Sequence, residues 1–283
     1  MRTIVVQGGT DGIGRAVAEA SLDRGDRVVV LGRDVEKAAR MRDHARSVDA
    51  EERLQVVVDD LSSIAANRRA VEQISHLTQR VDALVLCARH YSTWRRESVD
   101  GLESTFALFY LSRYLLLHGL TPLLRRSAAP VVVDVAGSPG TLAAISWDDL
   151  QLRHGYDGQR ALMQGGAAND LLVTAFAADH DRHGVAAVLV DPGMVSSSFS
   201  GEYDDVTAAQ IRTMQRLGRP TAEAATPVLD LLERPPTAPI SALARGTAVP
   251  TTRLATIDPP SAARLAAVTE RLLDTAGRES AWV

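Results

Sequence analysis

The stretch from residue 7 to residue 20, QGGTDGIGRAVAEA, joins a strand pattern to a helix pattern through closely spaced glycines. Gly8, Gly12 and Gly14 follow a buried strand and open a helix, the context in which such a loop can bind a dinucleotide. Glycines there let the backbone approach a pyrophosphate and place it at the helix N-terminus. We expect dinucleotide binding; the alternative is a tight turn that binds nothing.

The end of the second predicted strand indicates which dinucleotide would bind. Gly32 stands where an NAD enzyme commonly carries the acid that accepts from the ribose 2′-hydroxyl, and Arg33 follows it. A guanidinium pairs bidentately with a phosphate, so the sequence favours NADPH. Asp34 keeps NADH possible, and Arg33 as a solvated loop charge is the alternative.

The glycine spacing, Gly-x3-Gly-x-Gly, and several later segments resemble the short-chain dehydrogenase/reductase family. These are VDDLSS after the third strand, a long central helix DGLESTFALFYLSRYLLLHGLTPLLRRS, and DPGMVSS after the sixth strand. The segment SWDDLQLRHGYDGQRA resembles the one before the catalytic Tyr in the retinol dehydrogenase and protochlorophyllide reductase branch.

The resemblance implies a nicotinamide cofactor, with Asp60 near the adenine and Ser197 at the Thr position of the nicotinamide loop. The full set of expected cofactor-binding residues is Gly8, Thr10, Asp11, Gly12, Ile13, Gly14, Arg33, Asp60, Leu61, Cys87, Ala88, Arg89, Pro192, Gly193, Val195 and Ser197.

The catalytic residues of that family are absent. The family uses Asn, Ser, Tyr and Lys, with Tyr donating the proton and Lys lowering its pKa. The sequence AAN at 167–169 matches the branch pattern Tyr-Gly-x-Ser-Lys-x-Ala-Asn and fixes the register. On that register the Asn, Ser, Tyr and Lys positions hold Phe109, Gly137, Leu162 and Gly166.

Some neighbouring residues could compensate. Ser138 could hydrogen-bond a substrate or could be a turn residue beside Pro139. Tyr156 and Arg160 have a spacing that mimics the missing pair, but they precede the register, and packing is the favoured reading. For Asp134, near the end of the fifth strand, a hydrogen bond to backbone is favoured over catalysis.

Two loops at strand ends could contact a substrate. His90 and Tyr91 follow the fourth strand with Arg89, at the carboxyl edge where ligands bind in this architecture. They could orient a substrate or replace the acid, or they could face solvent. The expected substrate-binding residues are Ser138, His90, Tyr91 and Met194.

Continuous apolar runs predict the elements that position these loops. They lie at 3–7, 27–32, 54–58, 82–87, 130–136 and 185–191, with a last strand in PISALARG. Continuous rather than alternating runs indicate strands buried on both faces. We therefore expect an α/β fold, one domain over 1–283, with a doubly wound parallel sheet of about seven strands. Residues 194–234 read as a lid with two amphipathic helices, or as a simple covering pair.

Composition excludes several classes of protein. Thirty-one Lys and Arg residues against 35 Asp and Glu give a net charge of −4 without a basic stripe, so nucleic acid is not an expected partner. The single cysteine, Cys87, excludes an intramolecular disulfide and a thiolate zinc cluster, and we expect no metal and a buried, inert thiol. No apolar run reaches membrane-span length, so we expect a cytoplasmic protein. The terminal helix packs on the sheet or on a partner subunit, which allows a homo-oligomer.

Three functions remain open. The first is a reductase whose polycyclic ketone substrate carries its own acid, because a neighbouring phenol can neutralise the developing alkoxide. Here the sequence resembles the atypical short-chain ketoreductases that tailor aromatic polyketides, the angucyclinone ketoreductases in particular. The second is an inactive NADP(H)-binding sensor or scaffold, and the third is a non-redox cyclase, isomerase or lyase on the same fold.

Overall fold

The computed structural model describes residues 1–136 and 142–279. Its strands are β1 (Thr3–Gln7), β2 (Arg27–Gly32), β3 (Leu54–Val58), β4 (Ala83–Leu86), β5 (Tyr91–Ser92), β6 (Val131–Val135), β7 (Ala186–Asp191), β8 (Val195–Ser196), β9 (Gly201–Glu202), β10 (Arg219–Pro220), β11 (Ile240–Ala244) and β12 (Thr247–Ala248). Its α-helices are α1 (Gly12–Asp23), α2 (Val35–Ser47), α3 (Ile64–Leu77), α4 (Ser112–Leu124), α5 (Gly158–Ala178), α6 (His180–His183), α7 (Asp205–Leu217), α8 (Thr221–Glu233) and α9 (Pro259–Glu279).

Eight strands form one sheet in the order β12-β11-β7-β6-β4-β1-β2-β3. Every pairing is parallel except that of β11 with the short β12. The α/β class and the seven strands expected from the apolar runs are confirmed, with boundaries within two residues; β12 is an addition. The order places β1 beside β4, so the chain reverses direction across the sheet there. Ligands of such sheets bind at this reversal, outside the carboxyl ends of the strands.

Helices cover both faces of the sheet. On one face α1, α2 and α8 contribute Val17, Leu22, Met41, Val228 and Leu232 to a single apolar cluster with the strands. On the other face α3, α4, α5 and α9 form a second cluster. Burial on both faces explains why the strands read as continuous Val, Leu and Ile runs.

The lid expectation is wrong for its second helix. The α8 helix buries Ala224, Ala225, Val228, Leu229 and Leu232 against α1 and the sheet, so it belongs to the covering layer. Its amphipathic pattern is the same whether it covers a sheet or a substrate, and the sequence alone does not separate the two. By contrast α7 buries only Ile211 among its described side chains.

The terminal helix packs on its own chain. Ala262 and Leu265 of α9 are buried in the same cluster as α4 and α5. Thr269 adds a hydrogen bond of 2.7 Å between its hydroxyl and that of Tyr110. The face of α9 that these residues define is therefore covered within the chain.

A short segment crosses the carboxyl edge of the sheet. Residues 197–203, which we call the strap, leave β8 and reach β9, which pairs in parallel with β5. Phe199, at the middle of the strap, has φ of +46°, a left-handed conformation that bulky residues rarely adopt. The strap therefore has a specific conformation held from both ends.

Candidate active site

The expected cofactor-binding residues all lie in one cleft at the carboxyl edge of the sheet. It is lined by the glycine loop, by the ends of β2, β3 and β4, by the β7–β8 loop and by the strap. Segments far apart in the chain thus meet around one space. His90 and Tyr91, expected to contact a substrate, also line it.

The glycine loop requires glycine at its defining positions. Gly8 and Gly12 have φ of +73° and +54°, values that residues other than glycine rarely adopt. A Cβ on Gly14 would lie 2.4 Å from the carbonyl oxygen of Gly8. A side chain at any of these positions would disrupt the turn. Without side chains, the loop lets the pyrophosphate of a dinucleotide approach its backbone.

At the adenosine side, the end of β2 lies directly against the glycine loop. A Cβ on Gly32 would lie 2.5 Å from the hydroxyl of Thr10. The carboxylate of Asp34 accepts a hydrogen bond of 2.9 Å from the backbone N–H of Lys37 and caps α2, and this bond lowers the pKa of Asp34. Asp34, the acid that left NADH as an alternative cofactor, is thus engaged in capping its own helix.

Arg33 is exposed, with its guanidinium 3.4 Å from Nδ1 of His90. Burial, followed by the positive charge of Arg33, lowers the pKa of His90 below its usual value. His90 is therefore neutral at neutral pH. Where Arg33 and His90 meet, the positive charge is therefore that of the Arg33 guanidinium.

Several lining residues were not expected from the sequence. Lys37 forms an ion pair with Asp11, whose carboxylate also accepts from the hydroxyl of Ser198. Strap residues Ser198, Phe199, Ser200 and Tyr203 line the same cleft. One sequence signal was available: the chain contains 31 Lys and Arg residues, and Lys37 is its single lysine.

The stretch of α5 that the register matches to the family's catalytic positions contains a close apolar contact. A Cβ on Gly165 would lie 2.4 Å from Cδ1 of Phe109, so the phenyl ring fills the space above this turn of α5. Gly166 is buried and Leu162 is half-buried. Asn169 donates a hydrogen bond of 2.8 Å to the carbonyl of Phe109, within the π-helical turn Phe106–Leu111 that precedes α4. Gly137 and Ser138 lie outside the described residues.

Tyr156 and Arg160 do not replace the missing pair. The hydroxyl of Tyr156 lies 3.3 Å from both the carbonyl of Ser92 and the carboxylate of Glu103. Arg160 donates to the hydroxyl of Ser146 at 2.7 Å. Neither residue is among the described residues that line the cleft, and the packing interpretation is the one that fits these contacts.

The expectation for Asp134 is wrong. Its carboxylate pairs with the guanidinium of Arg113 from α4, and both side chains have no exposed surface. Arg113 also donates to the carbonyls of Ala88 and Val135, at 3.1 and 3.2 Å, and its Cζ lies 4.7 Å from the centre of the Phe109 ring. An ion pair beneath the cleft therefore joins the ends of β4 and β6. The apolar run that predicts the strand does not reveal that Arg113, from a separate helix, reaches Asp134.

Met194 and Cys87 have different surroundings. Met194, expected at the substrate, has 46% of its surface exposed and is not among the described lining residues, and its contact with a substrate stays a prediction. Cys87 lines the cleft wall, and burial raises the pKa of its thiol to about 12, against a smaller opposing effect of Arg113. The thiol is protonated at neutral pH, in agreement with an inert group.

No group of three or more His, Cys, Asp or Glu side chains suited to a metal ion occurs among residues 1–136 and 142–279. Within the same ranges, none of the helices combines the length and apolar character that a membrane crossing requires.

A family model for short chain dehydrogenases matches residues 2–147, just over half of the chain. The chain therefore belongs to the short-chain dehydrogenase family, a family of oxidoreductases.

Similar proteins include human polyprenol dehydrogenase, 29% identical over 203 residues that cover 69% of this chain and 61% of that protein. Human retinol dehydrogenase 11 is 28% identical over 204 residues, which cover 70% and 62%. This chain thus spans about six-tenths of the length of these curated relatives.

Among solved structures, a Shigella flexneri short chain dehydrogenase complexed with NADP has a TM-score of 0.66 at 19% identity, covering 86% of this chain and 96% of that one. A short-chain dehydrogenase from Streptomyces avermitilis has a TM-score of 0.65 at 20% identity, covering 98% and 97%. At this identity the comparisons establish the shared fold.

Proposed function

We propose that this protein is an NADPH-dependent ketoreductase acting on a polycyclic aromatic ketone, without a protein Tyr or Lys as acid. One observation carries the proposal: the cofactor-binding residues expected from the sequence lie together in one cleft. The absence of a Tyr and Lys acid is part of the proposal, and it is supported by the register that matches Phe109, Leu162 and Gly166 to the family's Asn, Tyr and Lys positions. When bound, the nicotinamide supplies the hydride, which is the demanding part of the chemistry. The chain orients the reactants and excludes water.

The β2 end supports the choice of NADPH over NADH. An NADH site places a carboxylate at the ribose 2′-hydroxyl, whereas here Asp34 caps α2 through the backbone N–H of Lys37. Arg33 stands beside it and forms no ion pair with any other residue of 1–136 and 142–279. A guanidinium in this place suits a 2′-phosphate.

Tyr203, Tyr91 and His90, which line the cleft, are poor proton donors. Burial raises the pKa of Tyr203 to about 12, against an opposing effect of Arg89, and burial also raises the pKa of Tyr91. Burial lowers the pKa of His90, which is therefore unprotonated at neutral pH. The proton that neutralises the alkoxide then comes from the substrate or from water. A ketone flanked by a phenol satisfies this need, because its hydroxyl is already hydrogen-bonded to the reacting oxygen.

The relatives support carbonyl chemistry. Two of them are named as dehydrogenases of polyprenol and of retinol, which are alcohols, and the interconversion of an alcohol and a carbonyl is the reaction proposed here. A structure of the same fold was solved with NADP. The aromatic substrate class rests on the resemblance of the sequence to angucyclinone ketoreductases.

Matched substrates test the proposal. Purified protein is mixed with NADPH and a panel of polycyclic ketones that carry a phenol beside the carbonyl, and with the same ketones after O-methylation. We expect NADPH consumption and a product two hydrogens heavier with the phenols, and a loss of about a hundredfold or more with the methyl ethers, the range of a general-acid contribution. Equal rates for both series would contradict the substrate-derived proton.

Two other results would contradict the ketoreductase and favour one of the two alternative functions. Tight NADPH binding with no turnover across the panel would indicate the sensor or scaffold. A product formed without NADPH consumption would indicate the non-redox cyclase or isomerase.

A further inference from the structure

A second cavity lies between the helices α4, α5 and α9, away from the cofactor cleft. Its volume is about 320 Å³, which is in the range of small-molecule sites. Part of its lining is apolar and buried, with Leu172, Phe176 and Leu265 each less than 5% exposed. None of the described residues that line this cavity also lines the cleft. The two spaces are therefore separate.

Four rings line this cavity in a continuous series. The ring centres of Tyr114 and His118 lie 4.4 Å apart, and those of Phe176 and His183 lie 4.1 Å apart. His118 and Phe176 join the two pairs at 6.2 Å. We call the space that these four rings line the aromatic cavity. The face of a Tyr or Phe ring carries the negative part of its quadrupole, so such a lining attracts cations.

Two carboxylates, those of Asp179 and Glu270, line the aromatic cavity as well. Burial lowers the pKa of His118, while the charges of Glu270 and Asp179 act against that effect, so both carboxylates lie near this ring. Glu270 forms no ion pair or hydrogen bond with another residue of 1–136 and 142–279. Asp179 pairs with Arg182 at 3.4 Å, but both side chains are exposed, so this pair contributes little.

The lining does not balance this negative charge. No Lys or Arg is among the described residues that line the aromatic cavity. His183 is uncharged, because its Nδ1 accepts from the backbone N–H of Val185 at 3.0 Å while its Nε2 donates to the carbonyl of Phe176 at 2.9 Å. With both nitrogens engaged, His183 supplies neither a metal ligand nor a positive charge.

The same charges disfavour a second copy of the chain as the occupant. A symmetric contact centred on the aromatic cavity would bring Asp179 and Glu270 close to the identical residues of the other copy. Like charges that meet across an interface oppose association. A cation, by contrast, would be attracted by the carboxylates and by the ring faces together.

We propose that the aromatic cavity binds a small organic cation, an ammonium group carried on an apolar body. The ammonium meets the carboxylates of Asp179 and Glu270 and the ring face of Tyr114. The apolar body packs against Leu172 and Leu265. This binding site does not depend on the proposed function, because no step of the proposed reduction uses these residues.

Matched ligands provide the first test. Binding of 2-phenylethylammonium, of the neutral 2-phenylethanol and of the anionic 3-phenylpropanoate to the full-length protein is measured by ligand-observed NMR, with and without saturating NADPH. We expect a dissociation constant on the order of 1 mM for the ammonium, the scale for a ligand of this size. The alcohol should bind about tenfold more weakly or worse, because it lacks the charge. The propanoate should not bind, and NADPH should not displace the ammonium.

Variants of the lining provide the second test. D179N/E270Q removes both charges and should weaken ammonium binding about tenfold or more, to the level of the alcohol. D181N is the matched control: it removes an exposed carboxylate two residues from Asp179 that is not among the described lining residues, and it should leave binding unchanged. Y114L keeps an apolar contact but loses the ring face, and it should weaken ammonium binding several-fold. A266F fills the aromatic cavity from α9 and should abolish binding of both ligands.

Each contrary result has its own meaning. Equal affinity for the ammonium and the alcohol, or unchanged ammonium binding in D179N/E270Q, would overturn the cation and leave an apolar cavity. Ammonium binding that survives A266F and is displaced by NADPH would overturn the location, because it would lie in the cleft. Dimers that A266F disrupts, seen by sedimentation in a protein that binds no ammonium, would make the aromatic cavity an interface between copies. A failure of the ketoreductase would leave the ammonium results unaffected.

Discussion

Two regions of the molecule differ in how their side chains are arranged. In the cleft, at the glycine loop and the β2 end, which we call the cofactor end, polar and charged groups such as Asp11, Arg33 and Lys37 surround a space shaped by glycines. On α5, Phe109 packs onto Gly165, in the same stretch as Leu162 and Gly166; we call this the catalytic face, because the sequence register predicts the family's catalytic positions there. The first region suits a charged cofactor, and the second is filled by apolar packing.

The second region also shows how close packing couples two positions. A Ser side chain at position 165 and a phenyl ring at position 109 would compete for the same volume, since the Cβ alone would approach Cδ1 within 2.4 Å. Glycine at 165 and Phe at 109 are thus mutually consistent, and close packing makes them a unit. The catalytic face is a packed surface rather than a damaged site.

The largest expected effect concerns the buried ion pair of Arg113 and Asp134, because Arg113 contacts both Ala88 in the cleft and the Phe109 ring. Arg113→Met removes the partner of a fully buried carboxylate and should lower the free energy of unfolding by about 3–5 kcal/mol, because Asp134 is left uncompensated. Urea unfolding measures the loss. The double variant R113M/D134L, which replaces the pair by apolar groups, should regain much of it; a loss below about 1 kcal/mol in R113M would contradict a tight buried pair.

A second variant tests the cofactor end. Gly14→Ala places a methyl group 2.4 Å from the carbonyl of Gly8 and should weaken NADPH binding by about 10- to 100-fold, the scale of overpacking a tight contact. Titration of cofactor fluorescence measures the change. Gly155→Ala is the control for a stability loss alone: no atom lies within 4 Å of its added Cβ, but its φ of +58° strains an alanine, so it should lower stability and leave cofactor affinity unchanged. Unaltered binding in the Gly14 variant would mean that the loop is not the pyrophosphate site.

The smallest expected effect tests the packed catalytic face. Gly165→Ser should lower the free energy of unfolding by about 1–3 kcal/mol, because its Cβ overlaps the Phe109 ring. In a Phe109→Ala background the same substitution should cost less, since the volume is free. Thermal or urea unfolding of the four proteins in this cycle gives the coupling. Additive effects would show that the two positions do not share a volume.

How much of the fold and of the candidate site can be predicted from the sequence depends on whether the constraint is local in the chain. The glycine loop and the strands were readable because their constraints are local: backbone conformation at Gly8 and Gly12, and burial of both strand faces. The prediction of a missing acid depends on the register fixed by Asn169, and it stays a prediction. In each case the information lies within a few consecutive residues.

The rest depends on groups far apart in the chain. Lys37 meets Asp11 across 26 residues and Ser200 across 163, and Arg113 meets Asp134 across 21. The α8 helix was misassigned because an amphipathic pattern specifies that one face is covered but not by what. The role of Met194 stays a prediction, because a motif position does not give a side-chain direction.

The sequence by itself determined the architecture and the position of the glycine loop, because strand burial and glycine conformation are local properties of the chain. The tertiary structure alone decided which cations face the cleft, that Asp34 caps its helix, and that Phe109 fills the space over Gly165. Those outcomes depend on which side chains share a volume or a charge partner, and only the packed fold brings them together.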